Sequence, residues 1–186
     1  MRQTLVAGNW KLNGSLDSIK QLVAGITAGA GNTGDTQIAV CPPFVYIPLV
    51  SNLLADSKVA IGSQDVSDQE SGAFTGEISG TMLNDFSCTY AIVGHSERRA
   101  LYAEDDEFTA RKFAAARKAG LTPILCVGET LEEREQGITE EVVARQLDAV
   151  VKLEGIEAIG EAVIAYEPVW AIGTGLTAST EQAQEV

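Results

Sequence analysis

The chain has 186 residues, of which 45% are hydrophobic and 21% charged, the proportions of one soluble globular domain. A formal net charge of −13 and a pI near 4.4 argue against a nucleic-acid or anionic-membrane partner, and no apolar run approaches the roughly 18–20 residues of a membrane span. The three cysteines, Cys41, Cys88 and Cys126, sit singly in or beside apolar runs, which argues against a disulfide framework and for a reducing cytosol.

No long apolar leader precedes the first short apolar run, Leu5–Asn9, which reads as a strand ending on a polar residue. The turn Trp10-Lys11-Leu12-Asn13-Gly14 follows. Asn13-Gly14-Ser15 matches a glycosylation sequon, but in a cytosolic chain it reads as a glycine turn. Ser15 stands as an N-cap before Leu16, Ile19, Leu22, Val23 and Ile26 at helical spacing. Further apolar runs come at Ile38–Cys41, Val59–Gly62, Tyr90–Gly94, Pro123–Gly128 and Ala162–Glu167. They are continuous rather than alternating, the mark of strands buried on both faces in a parallel sheet. Tyr46–Ala55 and Ser79–Asp85 read as short helices between them. Asp105–Ala119 reads as a longer one carrying Phe108, Phe113 and Ala116 and stopping at Gly120. The acidic run Glu129–Glu135 is expected to be a solvated helical face. Thr139–Leu153 repeats the helical pattern with Val142, Val143, Leu147, Val150 and Val151, and a last helix begins near Ser179. Residues 1–186 thus read as one domain of six strand-then-helix units, the sixth helix only begun.

Such alternation requires crossovers and a parallel sheet, either closed as a barrel or open and doubly wound. An open sheet would be favoured by a glycine-rich phosphate turn after the first strand, and Gly8–Gly14 matches neither common form of it. In a barrel, functional groups gather at the C-terminal strand ends. Those ends carry Asn9 and Lys11, then Gln64 and a long loop to Glu77, then His95, Ser96, Glu97 and Arg98, and finally Glu167 with the loop Pro168–Leu176. His95, the sole histidine, is either a core residue or a catalytic one. Its place before the helix-like Ser96-Glu97-Arg98-Arg99 favours a neutral ring, because amides at a helix start oppose imidazolium. Glu167 is a salt-bridge partner or a base, and Lys11 a solvated lysine or a cation at the mouth. Val169, Trp170, Ala171 and Ile172 make the last loop either a lid or a static cover, with Gly173 and Gly175 as hinge or close-approach positions. Without a second histidine or clustered Cys or Asp ligands, no transition-metal site is expected.

Four motifs, Gly8-Asn9-Trp10-Lys11-Leu12-Asn13, Gly94-His95-Ser96-Glu97-Arg98-Arg99, Cys126-Val127-Gly128-Glu129 and Ala165-Tyr166-Glu167-Pro168-Val169-Trp170-Ala171-Ile172-Gly173-Thr174-Gly175, together resemble the triosephosphate isomerase family in order and spacing over the whole chain. The resemblance implies an α/β fold, the (β/α)8 TIM barrel, represented here by about six units. It implies a cofactor-free, metal-free cytoplasmic isomerase of glycolysis and gluconeogenesis that interconverts dihydroxyacetone phosphate and glyceraldehyde 3-phosphate through an enediolate. In that family pattern Glu167 is the base, His95 the neutral electrophile, and Lys11 the cation for the anionic substrate. Asn9 positions the substrate oxygen and Glu97 orders the surroundings of Lys11. Pro168, Val169, Trp170, Ala171, Ile172, Gly173, Thr174, Gly175 and Leu176 form the lid, with the Gly173 N–H on the phosphate. Leu176 stands where many relatives carry lysine.

The resemblance further implies a homodimer formed through the third loop, with Gln64, Phe74, Thr75, Gly76 and Glu77. Phe74 either docks on a partner or folds back on its own chain. The chain stops at Glu185-Val186 inside a helix, so a polypeptide of these residues alone is expected to lack two units. It would leave a gap between first and sixth strands and be poorly stable and inactive. Two other readings stay open, a fragment that binds or dimerises without turnover and another sugar-phosphate barrel enzyme, such as an aldolase using Lys11 as its Schiff base.

Overall fold

The computed structural model describes residues 3–172, 175 and 177–186. The described residues form two compact units of α/β structure. One holds the residues up to Ile92 together with Ala115–Thr122, the other Val93–Ala114 with Pro123–Val186.

In the first unit, strand β1 (Leu5–Asn9), helix α1 (Leu16–Ala30), β2 (Gln37–Cys41), α2 (Ile47–Leu53), β3 (Ala60–Ser63), α3 (Gly80–Asn84) and β4 (Cys88–Val93, its last residue in the second unit) follow one another. The four strands pair in parallel in chain order. Leu5 lies opposite Gln37 and Asn9 opposite Cys41, and a register shift between Ile61 and Gly62 bends β3 against β4. Ser15 caps α1, its hydroxyl accepting the Ser18 N–H while the Ser18 hydroxyl accepts the Ser15 N–H. Gly62 is where β3 needs no side chain, since a Cβ there would lie 2.7 Å from Cys41 Sγ and 3.0 Å from Tyr90 Cβ.

The second unit continues with α4 (Ser96–Tyr102) and α5 (Asp106–Lys118), whose residues from Ala115 onward are counted in the first unit. Next come β5 (Thr122–Val127), α6 (Leu131–Glu135), α7 (Thr139–Glu154), α8 (Ile156–Gly160), β6 (Val163–Tyr166) and α9 (Thr180–Glu185). Strands β5 and β6 are parallel, with Ile124 opposite Val163 and Val127 opposite Tyr166. Phe113, Leu125, Val142 and Val150 are almost wholly buried, each worth about 1.5–3 kcal/mol of apolar transfer.

All six expected strands are present, four of them buried as expected. β1 and β6 are not buried on both faces. Val6 stays 59% exposed and Ile164 40%, since each strand has a single paired neighbour within its own unit. In α1 only Ile19 and Val23 of the expected face are buried, while Leu16 and Leu22 are exposed. In α7 the buried stripe is Val142, Gln146 and Val150, so a polar residue occupies its middle. The acidic run also departs from expectation. Glu129 precedes α6 and is completely buried, and only the residues after the Thr130 cap form the helix.

Candidate active site

The second unit brings His95 and Glu167 together. Gly94 follows β4 with φ 68°, and a Cβ there would meet Thr109 Cγ2 at 2.6 Å and Arg99 Nη2 at 2.9 Å, so the chain turns sharply where only glycine fits. His95 is the N-cap of α4. Its Nδ1 accepts the Glu97 N–H at 3.1 Å, and its carbonyl accepts the Arg98 and Arg99 amides at 2.8 and 3.1 Å. A ring nitrogen that accepts cannot also carry a proton, so this bond selects the neutral ring with its hydrogen on Nε2. The Glu97 carboxylate lies 3.7 Å from Nδ1.

Nε2 lies 3.0 Å from Glu167 Oε1, and Glu167 Oε2 accepts the Ser96 N–H at 3.0 Å. His95 is 6% exposed. Burial pushes the Glu167 carboxyl up. The His95 hydrogen bond and the Ser96 donors pull it down, and it lies below its ordinary value. The group is therefore a carboxylate at neutral pH, held by an N–H that a substrate oxygen could claim in its place.

The backbone of Glu167 is equally fixed. Its N–H donates to the Val127 carbonyl at 2.7 Å and the Val169 N–H to the Glu129 carbonyl at 3.2 Å, carrying the β5–β6 pairing past the strand ends. Beyond it the loop is pinned from below. Trp170 is buried, and its indole N–H donates to Glu129 at 3.0 Å. The Tyr166 hydroxyl donates to the same carboxylate at 2.9 Å, and Arg134 at 3.2 Å. The Arg134 guanidinium also stacks 4.6 Å from the Trp170 ring. Burial, then the bond to Glu129 and its charge, pushes the Tyr166 hydroxyl up to about 12. Pro168, Val169, Ala171 and Ile172 are half-buried and Gly175 is exposed with φ 82°. Gly173, Thr174 and Leu176 lie outside the described residues.

Asn9 and Lys11 belong to the first unit. Lys11 adopts a left-handed φ of 51°, a conformation costing a lysine on the order of 1–2 kcal/mol. Three hydrogen bonds hold it there. Asn9 Oδ1 accepts the Lys11 N–H at 3.0 Å, and Gln64 Nε2 donates to the Lys11 carbonyl at 2.9 Å and to the Cys41 carbonyl at 2.8 Å. Gln64, expected in the dimer loop, thus spends its amide inside its own chain. At the loop tip Phe74 is 45% exposed, with its ring against Gly72. Its N–H meets the Gly72 carbonyl, and Thr75, Gly76 and Glu77 are exposed. Among the described residues no group of three His, Cys, Asp or Glu is placed to hold a metal, and no helix is long and apolar enough to cross a membrane.

A carboxylate and a neutral imidazole at the C-terminal ends of parallel strands in an α/β chain define a proton-transfer enzyme of the βα-barrel class. Known proteins agree. The triosephosphate isomerase family profile matches residues 4–186. The triosephosphate isomerases of Thiobacillus denitrificans, Dechloromonas aromatica and Hydrogenovibrio crunogenus are 59%, 56% and 54% identical, over all of this chain and 74% of each relative. The chain belongs to the triosephosphate isomerase family, and its fold is that of the TIM barrel, with six βα units here. Membership sets aside the aldolase reading.

Proposed function

We propose that the protein interconverts dihydroxyacetone phosphate and glyceraldehyde 3-phosphate by moving one proton between adjacent carbons. The Glu167 carboxylate against the Nε2–H of a neutral His95 is the observation that carries this reading. A substrate carbonyl oxygen takes over the Nε2–H, and the released carboxylate takes the proton from the neighbouring carbon. Negative charge then develops on that oxygen, where a fixed N–H donor stabilises it. The hydroxyl proton passes from its oxygen to the former carbonyl oxygen by way of His95 Nε2, and the same carboxyl returns the carbon-bound proton to the other carbon, so every proton is conserved and no cofactor is consumed.

Lys11 supplies the cation that draws the anionic substrate into a chain of net charge −13, its loop held taut by Asn9 and Gln64. Asn9 positions the substrate oxygen, and Glu97 orders the surroundings of Lys11. Residues 168–176 close as a lid, excluding water and placing the Gly173 N–H on the phosphate. The enzyme works in the cytoplasm as a homodimer whose contact includes the exposed tip Phe74–Glu77. The test is turnover of glyceraldehyde 3-phosphate in deuterated water. Isomerisation with deuterium entering the product at the carbon that receives the proton is expected. Turnover without exchange would point to hydride rather than proton transfer and overturn the reading.

A further inference from the structure

Gln146 sits in the middle of the buried stripe of α7, one turn from Val142 on one side and Val150 on the other, and is itself only 4% exposed. A buried amide at a position suited to leucine is costly unless both its polar atoms are satisfied. Both are. Gln146 Oε1 accepts the Gly128 N–H at 2.8 Å and Nε2 donates to the Gly128 carbonyl at 3.2 Å. The side chain imitates a neighbouring strand and grips one residue at both its polar groups, just past the end of β5, where paired strands no longer supply those bonds.

That residue is the seat of the Glu167 backbone. A Cβ on Gly128 would fall 1.9 Å from the Glu167 carbonyl oxygen and 2.7 Å from its carbonyl carbon. The residues on either side of Gly128, Val127 and Glu129, accept the amides of Glu167 and Val169. Pro168 between them has no amide to donate, so Gly128 touches Glu167 by close contact alone. Any shift of Gly128 shifts the surface on which Glu167 rests.

We infer that Gln146 is a positioning residue for the catalytic base, acting through Gly128. The inference rests on Glu167 being that base. It makes the outer helix α7 part of the catalytic geometry and explains why this stripe carries an amide rather than an apolar side chain.

The test compares Gln146→Met, Glu167→Gln and Val150→Ala in the full chain as the cell makes it. Methionine keeps the length of glutamine and removes both bonds. Val150→Ala disturbs the same helix face one turn away without touching Gly128. Gln146→Met is expected to lower kcat about tenfold to a hundredfold with KM changed less than about threefold. Amide exchange at Gly128, followed by NMR, should become fast. Val150→Ala should lower the melting temperature and keep wild-type kcat. Wild-type kcat in Gln146→Met beside an inactive Glu167→Gln would overturn the clamp and leave the base assignment standing. Full activity in Glu167→Gln would overturn the base and the clamp with it. If Gln146→Met folds too poorly to assay, Gly128 amide exchange in the wild-type protein decides. Protection outlasting that of the exposed loop amides supports the clamp, and exchange as fast as theirs refutes it.

Discussion

Replacing Gly128 by alanine would place a methyl carbon 1.9 Å from the Glu167 carbonyl oxygen and 2.7 Å from the carbon that bears it. Side-chain carbons essentially never approach other atoms closer than 3.0 Å, so the two segments must part by more than 1 Å. Gly128 is held by Gln146 at both its polar groups and Glu167 by its bond to Val127, so part of the displacement falls on the base. A misplacement of about 1 Å costs on the order of a hundredfold in rate, equivalent to about 2.7 kcal/mol of activation free energy. Overpacking alone costs about 1–3 kcal/mol of stability, so the variant should still fold. Steady-state kinetics on glyceraldehyde 3-phosphate, with thermal unfolding of the same preparation, separates the two effects. A folded variant with kcat lowered about a hundredfold is expected. A kcat within about threefold of wild type would show that Gly128 does not set the position of Glu167.

Three further outcomes follow from the site. Nitrogen NMR of His95 in the active protein should show a neutral ring with its hydrogen on Nε2 at pH 7, and imidazolium there would contradict the Nδ1 bond to Glu97. Lys11→Met should abolish turnover, while borohydride with substrate leaves the mass of the wild-type protein unchanged, and an adduct on Lys11 would reinstate Schiff-base chemistry. Because the folded protein holds Glu167 below its ordinary value of 4.5, the stability this group contributes is present above that value and is lost as pH falls through the lowered one. With the substrate phosphate, which ionises at about pH 6, accounted for separately, the enzyme's own acid limb of kcat/KM should lie below pH 4.5, and a second, enzyme-borne limb near neutrality would contradict the direction of the shift.

Much of this was legible in the chain before any coordinates. Continuous apolar runs marked six parallel strands, and the polar residues at their ends marked Asn9, Lys11, His95 and Glu167. The place of His95 at a helix start was also readable, because a histidine followed by Ser-Glu-Arg-Arg sits where helix amides point. Three features were not legible, each because it depends on contacts far apart in sequence. Glu129 opens an acidic run and looks solvated, yet Tyr166 and Trp170, 37 and 41 residues later, enclose it. Gln146 falls between the valines of its helix and is buried only because Gly128 presents a peptide to it. The left-handed bend at Lys11 is held in part by Gln64, 53 residues away, a contact that the sequence around Lys11 does not announce.

The central claim is that the Glu167 carboxylate does the chemistry from a fixed position, and Glu167→Asp tests it most directly. The substitution preserves the charge and withdraws it by one methylene, so binding of the anionic substrate should change little while proton transfer suffers. Measured on glyceraldehyde 3-phosphate in the active protein, kcat should fall about a hundredfold with KM nearly unchanged. A near-wild-type kcat for Glu167→Asp would remove Glu167 from the role of base.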